Sequence, residues 1–433
     1  MNICSKTLEK MKAFCYTKDM EDRAILHCDC NNFFAACECL ENPKIRNKPV
    51  VVAGKVEERR GVIVAKNYIA KAAGVQTGMK IFEAMALCPD LVVVNPHMNL
   101  YNEYSKKVRD IFIRYTDRVE SFSIDECFLD VTHSKMFGTP QEIADKIRRD
   151  VREEIGLTVS VGVSFCKVFA KIGSDLKKPD ATTIISKDNY KEVVWPLSIG
   201  DMIGVGRHTR EKMLMWGIKT IGDLAKFPCD LIVKKLGKVG KDLWNHSNGI
   251  DDREVALYYH KEQPKSIGNS ATFYRDLRTR DEVLMALSVL AESVSSRMIK
   301  HGMRTAKTIH LVVKNNDLSY FGKQCALPFP CRDSKIFAHT AYNMFVKHYD
   351  FRANVRLLGV SVSGFEDDGS QMSMFDTQAA SNIDETLTAI RSKYGYAAIG
   401  RASRLLDRKI AGVMDRAEIF KEIKDFNEDI EKA

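Results

Sequence analysis

AILHCDC at residues 24–30 and FSIDECFLDV at residues 122–131 decide the reading, because each sets carboxylates into an otherwise apolar, strand-forming run. The first reads as one β-strand, and the helical FFAACECLEN that follows it stops before Pro43. The second reads as two strands meeting at a tight turn over Asp125–Glu126. Asp29 then lies inside an apolar strand, and Asp125 and Glu126 at the turn of an apolar hairpin. Taking such charges out of water is costly unless they are paired or bind a cation. No Lys or Arg lies beside either site in the sequence. If the two strands are neighbours, the three carboxylates converge on one hard-cation site of the kind that Mg²⁺ takes. Two such ions can activate a hydroxyl nucleophile and hold the leaving oxygen of an in-line displacement. The alternative is that all three are turn and strand-end carboxylates facing water, where Asp and Glu are common.

Working outward, PVVVAG at 49–54 and GVIVA at 61–65 read as short strands, and 67–73 as a short helix closed by Gly74. A helix is expected from Asn99, a possible N-cap, to Tyr115, with a charged amphipathic helix over 140–155. LTVSVGVS at 157–164 reads as a strand, followed by a helix over 166–177 that ends at Pro179. This order predicts a mixed α/β (α+β) domain with an antiparallel sheet. From about residue 186 short helices alternate with glycines, at Gly204 and Gly206, in 217–224 and in 236–240, which predicts a small helical domain. Residues 256–264 read as a linker. Over 265–365 strands are expected in KSIGNSATF, TAKTIHLVVK and VRLLGVSVSG, with helices at 281–300 and 333–348. A polar run and QMSMFD follow, then a helix capped at Ser381 and Asp384.

The 433 residues leave room for about three domains. At 45% hydrophobic and 28% charged, the composition excludes wholesale disorder and collagen-like repeats. No apolar run approaches the ~20 residues needed to cross a bilayer. The first 23 residues lack the apolar core of a secretion signal, so the expected location is cytoplasmic and the twelve cysteines are expected to be reduced. Cys28-x-Cys30 and Cys37-x-Cys39 lack zinc-ligand spacing. The net charge of +9 is uneven: residues 265–365 carry 15 Lys/Arg against 7 Asp/Glu, and residues 366–433 carry 10 against 14. A basic segment with an acidic tail suits a polyanion partner, most economically nucleic acid, although a solvated basic surface would look the same.

Four motifs carry a resemblance: HCDCNNFFAACE at 27–38, RRGVIVAKNYIAKAAGV at 59–75, SIDECFLDVT at 123–132 and VGVSFCKVFAKIGSDLKKPD at 161–180. In this order they resemble the Y-family DNA polymerases, the polymerase IV/UmuC-like group, and the likeness runs from about residue 24 to 376. The resemblance implies a right-hand polymerase without a proofreading exonuclease. After an N-terminal extension at 1–23 it would have a palm (24–40 and 98–185), fingers (41–97), a helix-hairpin-helix-like thumb (186–255) and the linker at 256–264. A little finger (265–365) and a tail (366–433) would complete it. The implied activity is low-fidelity, low-processivity primer extension that crosses damaged template.

The resemblance also implies roles. Asp29, Asp125 and Glu126 match the catalytic metal-binding carboxylates, with the Cys30 carbonyl as a further ligand to two Mg²⁺. Phe34 falls at the steric gate, where a ring packed beneath the incoming sugar leaves no space for a 2′-hydroxyl; a core helix residue is the plainer reading of the same phenylalanine. Phe33, Tyr68, Lys71 and Lys178 match nucleotide-binding positions. Lys71 stands where the family usually has Arg, and so lacks the bidentate fork. Asn31 stands where many members have Asp, and Asn32 also departs from the pattern. Gly204 and Gly206 suit phosphate binding at a helix start. Lys265, Arg275, Arg304, Lys307 and Lys314 are candidates for holding primer-template phosphates. Gln371, Met374 and Phe375, in QMSMF at 371–375, resemble the bacterial sliding-clamp peptide. A monomer with DNA, dNTP and clamp as partners is expected. Two other classes fit some of these features: an inactive DNA- and clamp-binding scaffold, and another palm enzyme such as a nucleotide cyclase.

Overall fold

The computed structural model describes residues 23–59, 61–260, 263–365, 378–395, 398–400, 407 and 410. In chain order its elements begin with β1 (Ile25–Cys30), α1 (Phe33–Glu41), β2 (Val50–Ala53), β3 (Ile63–Lys66), α2 (Tyr68–Ala72), α3 (Ile81–Leu87) and β4 (Val92–Val94). Next come α4 (Met98–Phe112), β5 (Val119–Ser121), β6 (Glu126–Asp130), α5 (Pro140–Glu154), β7 (Val159–Ser164), α6 (Lys167–Leu176) and β8 (Thr182–Ile185). The short helices are α7 (Tyr190–Val193), α8 (Arg207–Met215), α9 (Ile221–Lys226), α10 (Cys229–Leu236) and α11 (Lys238–Ser247). The chain closes with β9 (Ser266–Leu277), α12 (Arg280–Lys300), β10 (Ala306–Asn315), β11 (Tyr320–Cys331), α13 (Ser334–His348), β12 (Val355–Ser363) and α14 (Gln378–Tyr394). Two compact units form, one from the residues up to Pro43 with Leu100–His260, the other from Lys44–Asn99 with the residues from Lys261 onward.

The first unit is built on a sheet of order β5-β6-β1-β7-β8, antiparallel except for the parallel pair β7–β8. β1 is central and all six of its residues are buried, which explains its nearly continuous apolar reading. Helix α6 lies so close upon β7 that a Cβ on Gly162 would sit 1.9 Å from Ala170 O and 2.5 Å from Ser174 N. α5 is fixed at its start by Thr139 Oγ1, which accepts from Glu142 N–H, while Glu142 accepts from Thr139 N–H. Phe169 and Ile172 of α6 share one core with Ile218, Ile221, Leu224, Ile232 and Leu243 from the short helices.

In the second unit a small sheet of order β3-β2-β4 packs Val51, Ala53 and Ile63 against Ala70 and Ala84 of α2 and α3. A separate antiparallel sheet of order β11-β10-β12-β9 packs on α12 and α13.

Several sequence expectations shift. β11, unread because Pro328 and Pro330 lie within it, is an edge strand, where missing N–H groups cost no pairing. The hairpin turn precedes Glu126, because Phe122 N and Ser123 N both donate to Glu126 O, and Glu126 therefore opens β6. α4 starts at Met98, which is buried, so Asn99 is inside the first turn and is not its cap. Gly222 and Gly240 are helical, not turn, glycines: they let α9 and α11 approach Trp195 and the Ile232 carbonyl. Asp384 lies within α14 and caps a different helix, accepting from Ser334 N at 2.9 Å and Ser334 Oγ at 3.0 Å at the start of α13. Among the described residues no helix is long and apolar enough to cross a membrane.

Candidate active site

The pairing of β1 with β6 sets Asp29 directly opposite Glu126, and Cys30 N donates to Asp125 O at 2.9 Å. The backbone thus brings the three acidic residues, drawn from two distant motifs, to one end of the central strand. Asp29 is 6% exposed. Burial pushes both acids of the turn upward: Asp125 lies above the ordinary carboxylate range although Ser123 Oγ donates to its Oδ1 at 2.6 Å. Glu126 is pushed to about 7 by burial and then by its hydrogen-bond contact with Asp29, against the downward pull of Lys171.

Lys171 and Lys178, distant from these acids in the sequence, stand beside them in space. α6 crosses the sheet and brings Lys171 Nζ onto Glu126 Oε1 and to 3.5 Å from Asp29 Oδ2. Lys178 Nζ stands 2.8 Å from Asp29 Oδ2 and 2.9 Å from Asp175 Oδ1. Burial would lower Lys171, but the attractions of Glu126, Asp175 and Asp29 together outweigh it and the ammonium is held above its ordinary value. Lys178 is raised in the same way, with Asp29 and Asp175 together overcoming burial. The cluster is therefore an ionic network. Among the described residues no three His, Cys, Asp or Glu side chains are gathered as an ion-binding group. As donors, however, the residues fit a hard divalent cation: buried Asp29 and half-buried Glu126 bring carboxylate oxygens into mutual contact, and positive charge between them would favour both ionised forms. The Cys28, Cys30 and Cys127 thiols are buried and pushed upward by desolvation, which keeps them protonated core groups.

The chain turns from β1 into α1 through Asn31 and Asn32, the latter in the left-handed region at φ 44°. This places the half-buried Phe34 ring parallel to Tyr101, with centroids 4.3 Å apart and planes 12° apart. The Tyr101 hydroxyl donates to the buried Glu38 carboxylate. Phe33 is 3% exposed and tilted against both rings, with centroids 5.8 Å from Phe34 and 6.4 Å from Tyr101. It backs the Phe34 ring as a core residue.

Tyr68 and Lys71 belong to the second unit, on one face of α2, with Lys71 Nζ 5.8 Å from the Tyr68 ring centroid. Asn67 Oδ1 caps that helix through Ala70 N. Lys66 is lowered by burial and then by Lys71, so two ammonium groups crowd this end of the unit. Gly204 has φ 88° and Gly206 precedes the first residue of α8. Lys265, Arg304 and Lys307 are exposed and Lys314 is half-buried on β10. Arg275 is engaged within its own unit, 2.7 Å from Glu282 Oε1 and 3.2 Å from Asp407 Oδ2, which weakens it as a phosphate contact. Gln371, Met374 and Phe375 lie outside the described residues.

Sequence reasoning passed over Lys171, Tyr101 and Lys66. Lys171 left a signal: with Lys167 one turn before it, it sets a cation into a helix whose Val168, Phe169 and Ile172 are apolar and buried.

Residues 28–175 match the model of the impB/mucB/samB family, residues 264–374 that family's C-terminal domain, and residues 200–251 the thumb domain of DNA polymerase iota. A DNA polymerase IV of Acetivibrio thermocellus is 42% identical over 393 residues, spanning 89% of this chain and 98% of that protein. A solved Y-family DNA polymerase chimera (Dbh-Dpo4-Dbh) aligns with a TM-score of 0.69 and 25% identity over 79% of this chain and 99% of its own. The chain belongs to the Y family of DNA polymerases. A DNA polymerase IV 2 of Bacillus subtilis is 36% identical over 396 residues, 89% of this chain and 95% of that protein. As a Y-family member the chain is a template-directed DNA polymerase of the translesion class, acting on DNA and deoxynucleoside triphosphates. Y-family enzymes work with divalent metal ions.

Proposed function

We propose that primer extension takes place beside Asp29, Asp125 and Glu126, which with the Cys30 carbonyl would hold two Mg²⁺. Bound there, the ions would lower the pKa of the primer 3′-hydroxyl and balance charge on the departing pyrophosphate. The chain's own groups supply the rest. Lys178 leaves Asp29 to meet the triphosphate, and Lys171 neutralises the Asp29–Glu126 pair from the helix side. Tyr68 and Lys71, on one face of α2, offer a hydroxyl and a cation suited to phosphate. The Phe34 ring, braced by Tyr101, lies beneath the sugar and rejects ribonucleotides by clash.

In this reading residues 24–40 and 98–185 are the palm, 41–97 the fingers, 186–255 the thumb and 265–365 the little finger. Lys265, Arg304, Lys307 and Lys314 hold backbone phosphates without reading sequence. Residues 371–375 bind the sliding clamp, and the protein works as a cytoplasmic monomer.

The observation that carries the proposal is the register that sets buried Asp29 opposite half-buried Glu126. Primer extension over a template with one abasic site, with Mg²⁺ and all four dNTPs, tests it. Full-length product is expected, and loaded clamp should raise its yield for wild type but not for Phe375→Ala. No extension on damaged or intact template would overturn the catalytic reading; equal clamp stimulation of both proteins would overturn the peptide assignment.

A further inference from the structure

Asn31 is buried without a role in the reaction outlined above. It lies two residues past Asp29 at the end of β1, and it is 2% exposed. Both ends of its amide are engaged: Nδ2 donates to Ser160 Oγ on β7 at 2.9 Å, and Oδ1 accepts from Asp180 N–H at 2.8 Å. Its backbone N–H donates to Thr158 O at 2.9 Å.

Asp180 ends the loop after α6 and takes a left-handed φ of 49°. α5 grips its carboxylate from the other side, with Arg148 Nε 3.0 Å from Oδ1 and Arg152 Nη1 2.7 Å from Oδ2. Arg148 also donates to the Asp180 carbonyl. Two residues earlier in the same loop is Lys178, whose ammonium reaches Asp29 Oδ2 at 2.8 Å. The loop is thus fastened to β1 twice, through its backbone by Asn31 and through its lysine by Asp29. If Lys178 turns from Asp29 to a phosphate, only the Asn31 fastening of the two is left.

We propose that Asn31 is a positioning residue: its amide fixes the Lys178 loop to the end of the catalytic strand and so sets how tightly the chain binds the nucleotide triphosphate. This rests on the reading of Lys178 as a triphosphate ligand. Alanine at position 31 leaves the Asp180 N–H and the Ser160 hydroxyl without their partner, and the loop loses its hold. The carboxylates are untouched, so the loss falls on ground-state nucleotide binding and not on the chemical step. Aspartate keeps an acceptor for Asp180 N–H and can also accept from the Ser160 hydroxyl, so it is the conservative substitute.

Single-turnover incorporation of one dNTP, read as apparent nucleotide Kd and maximal rate, tests the proposal. Asn31→Ala should raise Kd about fivefold or more while the rate stays within about twofold, and Asn31→Asp should return Kd to within about twofold of wild type. Lys178→Ala should raise Kd by itself, and adding Asn31→Ala to it should change little, because both act through one group. Unchanged Kd in Asn31→Ala, or equal loss in rate and affinity, would overturn the proposal. So would an Asn31→Ala effect that multiplies that of Lys178→Ala. Unchanged Kd in Lys178→Ala would overturn the triphosphate reading and the proposal with it. Should Asn31→Ala fail to fold, Arg152→Leu decides: it loosens Asp180 from a side chain that is 51% exposed. A smaller rise in Kd supports the proposal, and an unchanged Kd overturns it.

Discussion

Phe34 owes its pose to Tyr101: two parallel rings 4.3 Å apart leave the proposed gate little freedom to move. Phe34→Ala should therefore admit ribonucleotides, read as a fall in the ratio of kcat/KM for dNTP over rNTP, and an unchanged ratio would remove the gate assignment. Glu126 makes a prediction about pH. Its carboxyl is raised from 4.5 to about 7, so the folded chain keeps a proton that the unfolded chain has released. The stability it contributes is full below pH 4.5 and is lost as pH rises toward about 7. Denaturant melts in chelator should show this downward slope in wild type and lack it in Glu126→Gln; identical profiles would contradict the assignment. The three acids were legible in the sequence because each interrupts an apolar run. Their lysine partners were not, because Lys171 meets Asp29 across 142 residues and only the crossing of α6 over β1 brings them together. Asn31 was visible as a departure from a motif, but its meaning depends on the position of Asp180.

At the scale of elements, the β7–α6 contact sets where both lysines stand. Gly162 makes that contact possible, since a Cβ there would collide with the backbone of α6. Gly162→Ala should cost about 3 kcal/mol or more in a urea melt; a loss within error of zero would show that the helix can back away. Strands and helices with clear periodicity, such as β1, α5 and β12, were read close to their true bounds. β11 was missed because its two prolines argue against an interior strand, and a sequence does not reveal that a strand is at an edge. Asp384 was misassigned for a related reason. A carboxylate near a helix start looks like that helix's cap, yet here it serves the start of α13 across a packed interface.

At the scale of the molecule, charge and chemistry are segregated along the chain. The +8 of residues 265–365 (15 − 7) belongs to a sheet-and-helix module, while Asp29, Asp125 and Glu126 belong to the first unit. Such a division suits an enzyme that grips a polyanion by one surface and performs metal-assisted transfer at another. The fold class followed from the order of strands and helices, and the resemblance supplied the domain names. The measurement that tests the account most directly is single-turnover incorporation of one templated dNTP by wild type, Asp125→Ala and Glu126→Ala at saturating Mg²⁺. The account predicts incorporation by wild type and none above background in either variant, with DNA still bound by all three. Wild-type rates in either variant would contradict it.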